Sequence, residues 1–277
     1  MHGALPNLIV IGAQKCGTTS LHSYLGRHPQ IGMSRRKELH YFRQRGDRSL
    51  DWYRSWFDPR DTVRGETSPG YTNAPFDPGV PARMYAAVPD ARLIYLVRDP
   101  LSRALAAWRH KVAEGQEHRS VNEALADPEG EYVVRSCYAL QLGEYLPFYP
   151  TDRILLVEQE ALLTERAATM TSIFDWLGVD PSYRSIWFKR RQHRTKRKRR
   201  RSPLGLWLSA TRPMRAVAQL PDPARWMLEE VIYRPFSRAV PAPELDPALR
   251  EQLQARFKRD TAELRRQTGR SLDRWTV

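Results

Sequence analysis

The stretch that decides the reading is LIVIGAQKCGTTSLHSYLG, residues 8–26. Leu8 to Ile11 is a short, apolar, β-branched run, the pattern of a strand buried on both faces of a parallel sheet. Gly12 to Gly17 is a glycine-bounded loop. Thr18 to Leu25 then reads as a helix, with Leu21 and Leu25 one turn apart and Gly26 and the His28-Pro29 pair closing it. Strand, glycine loop and helix are the setting of a phosphate site, because the N–H groups at a helix N-terminus carry partial positive charge. A nucleotide-hydrolysing loop has the form G-x-x-x-x-G-K-[ST]. Gly12 and Gly17 keep that spacing, but Thr18 stands where the lysine belongs and the lysine is displaced to Lys15. On these residues alone three readings are open: a damaged ATP site, a coincidence, or a cradle for a different phosphate compound.

The flanking chain repeats the pattern. RLIYLV, residues 92–97, is a second buried-strand candidate. After it, Asp99 is a suitable N-cap and Pro100 a suitable first helical residue, with Leu101, Leu105, Trp108 and Val112 at helical spacing. Arg98 therefore falls at the carboxyl end of a strand, the edge where open α/β sheets bind ligands. RILLVEQEALL, residues 153–163, is a third strand running into a helix. A helical pattern from Thr169 to Leu177 stops at Gly178. Asp246-Pro247 opens a C-terminal helix within 244–270, with Leu249, Leu253, Phe257 and Leu264 as its apolar stripe. There is no internal repeat, and 201–245 carries no clear pattern. The alternation predicts a three-layer, P-loop-like α/β fold: a central, mostly parallel sheet flanked by helices, in one domain over 1–277.

Composition bounds the rest. A 277-residue chain with 41% hydrophobic residues supports a sizeable core. No run approaches the ~20 apolar residues of a membrane span. The first residues, MHGALPNLIVIG, lack the pattern of a signal peptide, and two cysteines do not make a disulfide framework, so a cytoplasmic location is expected. The formal charge is +14, yet ten of the lysines and arginines lie in KRRQHRTKRKRRR, residues 189–201, leaving +4 for the remainder. That basic segment reads as a mobile, solvated loop, as a recruiter of an anionic acceptor such as an acidic glycan or lipid, or as a nonspecific nucleic-acid contact. No zinc-finger spacing or RNA-recognition motif accompanies it, so specific nucleic-acid binding is not expected.

Four further segments give the loop a context: KELHYF (37–42), GETSPGY (65–71), LVRDPLSRALAAW (96–108) and LRRQTGRSLDRW (264–275). In this order, and with QKCGTTSL (14–21), the chain resembles the sulfotransferases that use 3′-phosphoadenosine 5′-phosphosulfate (PAPS), above all the heparan-sulfate type and its bacterial relatives. The resemblance runs from about residue 7 to the C-terminus. It implies a loop intact but built for a 5′-phosphosulfate, with no metal required. Lys15 then stabilises charge growing on the leaving phosphate oxygen. Cys16, Gly17, Thr18, Thr19 and Ser20 surround that phosphate, Arg98 binds the 3′-phosphate, and Lys196 and Arg197 contribute from a closing loop. Glu38 is implied as the base that takes the acceptor proton. His40, two residues on and on the same face of an extended segment, orients the acceptor or assists the base. The expected acceptor is a hydroxyl, less readily an amine, of a carbohydrate or small molecule.

The chain departs from that pattern twice. Ala106 stands where the family has a serine eight residues after Arg98, which leaves Ser102 as a substitute donor. Thr67 stands where the heparan-sulfate enzymes have lysine. Glu66 and Tyr71 either line the acceptor cleft or serve the fold, and Tyr138 either approaches the nucleotide or packs in the core. Two other classes stay open: a P-loop kinase or NTPase, and a nucleic-acid-binding protein acting through 189–201.

Overall fold

In the computed structural model, Leu8–Gly12 forms β1, buried at every residue. The structure describes residues 3–43, 48–189, 199–201, 237–240 and 242–277, with isolated positions 211, 228 and 232. β1 is the middle strand of five: β3 (Val63–Thr67) and β4 (Arg92–Val97) flank it, with β2 (Ile31–Met33) outside β3 and β5 (Ile154–Glu158) outside β4. All four pairings are parallel, which bears out the expected sheet. The chain builds β2 and β3 on one side of β1, then crosses to build β4 and β5 on the other. The carboxyl ends of β1, β3 and β4 therefore meet at the switch of direction, where a crevice opens.

Helices cover both faces, as required when strands are apolar on both sides. Among the described residues they are, in chain order, α1 (Thr18–Leu25), α2 (Leu50–Arg54), α3 (Val80–Ala87), α4 (Pro100–Ala113), α5 (Val121–Ala126), α6 (Glu131–Val134), α7 (Tyr138–Gly143), α8 (Gln159–Thr164), α9 (Arg166–Leu177) and α10 (Pro247–Thr268). One core lies on the sheet, around Leu8, Val10, Leu93, Tyr95 and Phe174. A second joins α4, α5, α6 and α10 through Leu101, Trp108, Leu125, Tyr132 and Phe257. The stripe of α10 is buried at Leu253, Phe257, Thr261 and Leu264. Between Phe257 and Thr261, Asp260 reaches α7, accepting the Ala139 N–H at 3.0 Å and the Leu140 N–H at 3.2 Å. It thereby caps a helix whose own N-cap residue, Cys137, has no side-chain cap bond.

The end of the basic run forms β6 (Arg199–Arg201), antiparallel to β7 (Ser237–Ala239). This ribbon lies against α4, and Arg109 of α4 donates to the Val240 carbonyl at 3.1 Å. Residues 190–198, with Lys196 and Arg197, lie outside the described residues. No helix among those described is long and apolar enough to cross a membrane.

Candidate active site

The loop between β1 and α1 is held from beneath by two arginines. Arg98, the first residue after β4, donates from Nη1 to the Lys15 carbonyl at 3.3 Å. Arg103, on α4, donates from Nε to the Gln14 carbonyl at 3.2 Å. Its Nη1 reaches the Tyr132 carbonyl at 3.2 Å and Ser136 Oγ at 3.3 Å. Only 1% of Arg103 is exposed, so this guanidinium is a strut between the loop and α6, not a ligand group. Its neighbours Ala104 and Ala107 are small and buried, leaving room for it. Lys15 and Gly17 both take positive φ, 69° and 92°. Gly17 is favoured by its φ, at which a side chain is strained; an added Cβ would displace only the end of the Gln159 side chain.

Gly17 begins α1 without a side-chain cap. The N–H groups of Gly17, Thr18 and Thr19 have no carbonyl one turn back to bond and are the natural donors to an anion. Thr18 is buried, whereas Thr19 and Ser20 are partly exposed. Cys16 turns the other way: its thiol is buried 3.5 Å from the Tyr138 hydroxyl, and burial pushes its pKa up to about 11. Tyr138 itself packs edge-on to Tyr95 and against Trp275, so of its two readings the structure shows core packing. Arg98 Nε is buried with no partner among the described residues. An orphaned guanidinium nitrogen beside an uncapped helix start fits a phosphorylated ligand. Ala106 is buried and lies two turns along α4 from Arg98, and the Ser102 N–H is taken by Asp99 Oδ1 at 2.7 Å.

The second half of the site follows β2. Glu38 and His40 both have positive φ, 64° and 54°. The segment is thus a pair of tight reversals rather than the extended piece expected, but the two side chains still converge. His40 Nε2 lies 3.5 Å from Glu38 Oε2, and Lys37 pairs with the other carboxylate oxygen. The His40 contact lowers the Glu38 pKa most; burial opposes it and Lys37 adds to it, and the carboxyl is held at about 2. Glu38 is therefore ionised at neutral pH while its side chain stays 41% exposed.

What fixes that segment is Glu66, wholly buried at the end of β3. It accepts from Tyr53 Oη at 2.6 Å, Ser68 Oγ at 2.7 Å and Tyr71 Oη at 2.9 Å. Ser68 Oγ in turn accepts the His40 N–H at 3.2 Å, and the Glu38 N–H donates to the Thr67 carbonyl at 2.8 Å. Glu66 and Tyr71 serve the fold and line no cleft. Thr67 Oγ1, where a lysine was the family expectation, lies 3.0 Å from His22 Nδ1 on α1.

Lys15, Arg98, Glu38 and His40 thus gather at one edge of the sheet. Sequence reasoning gave no role to Arg103, although it lies inside the quoted LVRDPLSRALAAW segment, because nothing in a sequence marks an arginine as buried. No group of His, Cys, Asp and Glu suited to a metal ion occurs among the described residues.

A chain with this sheet and this edge belongs to the sulfotransferase domain family, whose pattern matches residues 5–204. A sulfotransferase from Alicyclobacillus acidocaldarius has the same fold (TM-score 0.68, 26% identity, 97% of both chains covered). Human bifunctional heparan sulfate N-deacetylase/N-sulfotransferase 2 is 27% identical over 197 residues, 64% of this chain and 22% of that protein. Human heparan sulfate glucosamine 3-O-sulfotransferase 3B1 is 30% identical over 184 residues, 63% of this chain and 46% of that protein. The matches span less than half the length of these two relatives.

Proposed function

We propose that the protein transfers a sulfuryl group from PAPS to a hydroxyl of an acceptor. The observation that carries this reading is one sheet edge with two chemically distinct halves. One half is a cationic, N–H-rich loop with an orphaned Arg98 Nε; the other is an ionised carboxylate, Glu38. PAPS, when bound, supplies a sulfuryl group on a good leaving phosphate. Lys15 and the first N–H groups of α1 hold that phosphate and stabilise its growing negative charge. Arg98, held against the Lys15 carbonyl, binds the second phosphate. Glu38 orients the acceptor hydroxyl and receives its proton. A carboxylate of pKa about 2 is a weak base, but the hydroxyl becomes acidic as its oxygen bonds to sulfur, so the proton moves late. His40 holds Glu38 in place. The heparan sulfate acceptors in the relatives' names make a carbohydrate hydroxyl the first class to test.

The test is calorimetric titration with 3′-phosphoadenosine 5′-phosphate, and separately with ATP and magnesium, on wild type and Lys15→Ala. The reading expects the bisphosphate to bind selectively, with affinity reduced at least ~10-fold in the variant, the worth of one charge-assisted contact. ATP binding without bisphosphate binding overturns it in favour of a kinase or NTPase.

A further inference from the structure

The two halves of the site stand on different supports. The phosphate half is carried by α1, a regular helix whose start has no side-chain cap and leaves its first N–H groups for an anion. The base half is carried by the reversals at Glu38 and His40, in the stretch between β2 and α2. In-line transfer requires these two supports to keep one separation, because a misplacement of ~1 Å costs about 100-fold in rate. A fixed link between the helix and the reversals is therefore needed.

Both reversals hang from the end of β3. The Glu38 N–H donates to the Thr67 carbonyl at 2.8 Å, and the His40 N–H donates to Ser68 Oγ at 3.2 Å. Thr67 is itself held: it pairs with Val10 of β1, it is wholly buried, and its β-branched side chain restricts where the hydroxyl points. That hydroxyl meets α1. Thr67 Oγ1 and His22 Nδ1 lie 3.0 Å apart and are hydrogen-bonded, the ring tautomer deciding which donates. Burial of Thr67 keeps water from competing for this bond. His22 lies one turn after Thr18 on the same face of the helix, and the Thr18 N–H is among the donors at its start. A path from phosphate to base thus runs along one turn of α1, across His22 to Thr67, and through the Thr67 carbonyl to the Glu38 N–H.

We propose that His22 is a positioning residue that couples the two halves: through Thr67 it holds Glu38 in register with the phosphate at the start of α1. This rests on the sulfotransferase reading. His22 acts without touching donor or acceptor. An anion that gathers the first N–H groups stiffens α1, the helix holds His22, and His22 holds Thr67 and the turn at Glu38.

The test is hydrogen exchange at the Glu38 and His40 amides, followed by NMR on the full chain with and without saturating 3′-phosphoadenosine 5′-phosphate. Wild type, His22→Leu, His22→Asn and Thr67→Val are compared. In wild type the bisphosphate is expected to slow both amides at least ~10-fold. His22→Leu and Thr67→Val each remove one side of the bond and cut that slowing to ~2-fold or less while the bisphosphate still binds, and combining them loses no more than either alone. His22→Asn places a carboxamide where Nδ1 was and keeps most of the slowing. A merely structural role would speed exchange with or without ligand, at β4 amides as well, and leave the ligand-induced change in place. No slowing in wild type, slowing undiminished in His22→Leu or Thr67→Val, or His22→Asn behaving as His22→Leu overturns the proposal. So does a loss of bisphosphate affinity in the folded variants, which places His22 in the donor site. A wild-type chain that does not bind the bisphosphate sinks the sulfotransferase reading, and inorganic pyrophosphate then serves as the loop anion. The coupling stands if pyrophosphate slows the two amides in wild type but not in His22→Leu, and falls if it does not.

Discussion

Replacing Glu66 tests whether the site depends on a buried carboxylate that no substrate touches. Glu66→Ala removes the acceptor from three hydroxyls, each 2% exposed or less. The losses are unequal. Ser68 Oγ still accepts the His40 N–H, and Tyr71 Oη still accepts the Phe42 N–H at 3.4 Å. Tyr53 Oη, whose bond to Glu66 is 2.6 Å, loses the only side-chain partner found for it among the described residues. At about 1–3 kcal/mol for each buried group left unmade, and counting the two that keep one bond at the low end, the cost is about 3–5 kcal/mol. That is a large part of the ~5–15 kcal/mol that holds an average domain together. Glu66→Gln keeps the volume and two acceptor lone pairs but forces one hydroxyl to reverse, costing about 1–2 kcal/mol. Burial raises the Glu66 pKa, against the three hydroxyl bonds that lower it. The folded state therefore holds its proton to higher pH than the unfolded chain, and this group's contribution to stability falls as pH rises from about 4.5 through the raised value. Glu66→Gln removes that slope. Urea unfolding of the three proteins across this range reads both effects, and nucleotide titration reports whether the donor half survives. A Glu66→Ala chain within ~0.5 kcal/mol of wild type refutes the reasoning, because buried hydroxyls stripped of an acceptor cannot be that cheap.

Two further outcomes follow from single positions. Ala106→Ser restores a hydroxyl two turns along α4 from Arg98; it is expected to tighten bisphosphate binding about 5- to 10-fold in calorimetry, and no gain means that position does not face the nucleotide. Asp260 is pushed by burial to about 6 despite the N–H groups it caps, so its contribution to stability falls as pH rises from about 4 through about 6, by ~2–3 kcal/mol over that window. Asp260→Asn is expected to flatten that part of the pH–stability curve in urea unfolding.

The elements legible in the sequence were those whose apolar run and terminator agree. β1, β4 and β5 are β-branched or leucine-rich runs followed by a glycine loop or a cap, and α10 announces itself with Asp246-Pro247 and a four-residue stripe. β3 was not legible although it is an interior strand. Its sequence, VRGET, places a glycine and a glutamate in the sheet, and only the hydroxyls of Tyr53, Ser68 and Tyr71 make that glutamate tolerable there. β2 has three residues, too few for any periodicity. Lys15, Glu38 and Arg98 were reached through motif order. The buried roles of Glu66 and Arg103 were not, because each depends on a partner distant in the chain, Tyr53 for the first and Gln14 for the second.

The adjacent pair Arg98 and Asp99 shows how one strand end serves ligand and fold without mixing them. Arg98 keeps its Nε without a partner among the described residues, a cost that the anion of the proposed reading would offset. Asp99 keeps nothing free. Its Oδ1 caps α4 through the Ser102 N–H, and its Oδ2 takes the Thr276 N–H at 2.9 Å and hydroxyl at 2.6 Å. Its own N–H donates to Glu160 Oε1 at 3.1 Å, at the junction of β5 and α8. Burial alone would raise this carboxyl, but the Thr276 and Ser102 bonds outweigh it and hold the pKa down. Through its carboxylate and its N–H together, Asp99 ties the start of α4, the chain before Val277 and the first turn of α8 to one another. Beside the fixed Asp99, the Arg98 guanidinium braces the loop that carries Lys15 by its bond to the Lys15 carbonyl. On the sulfotransferase reading, it is this saturated neighbour that places the phosphate-binding arginine.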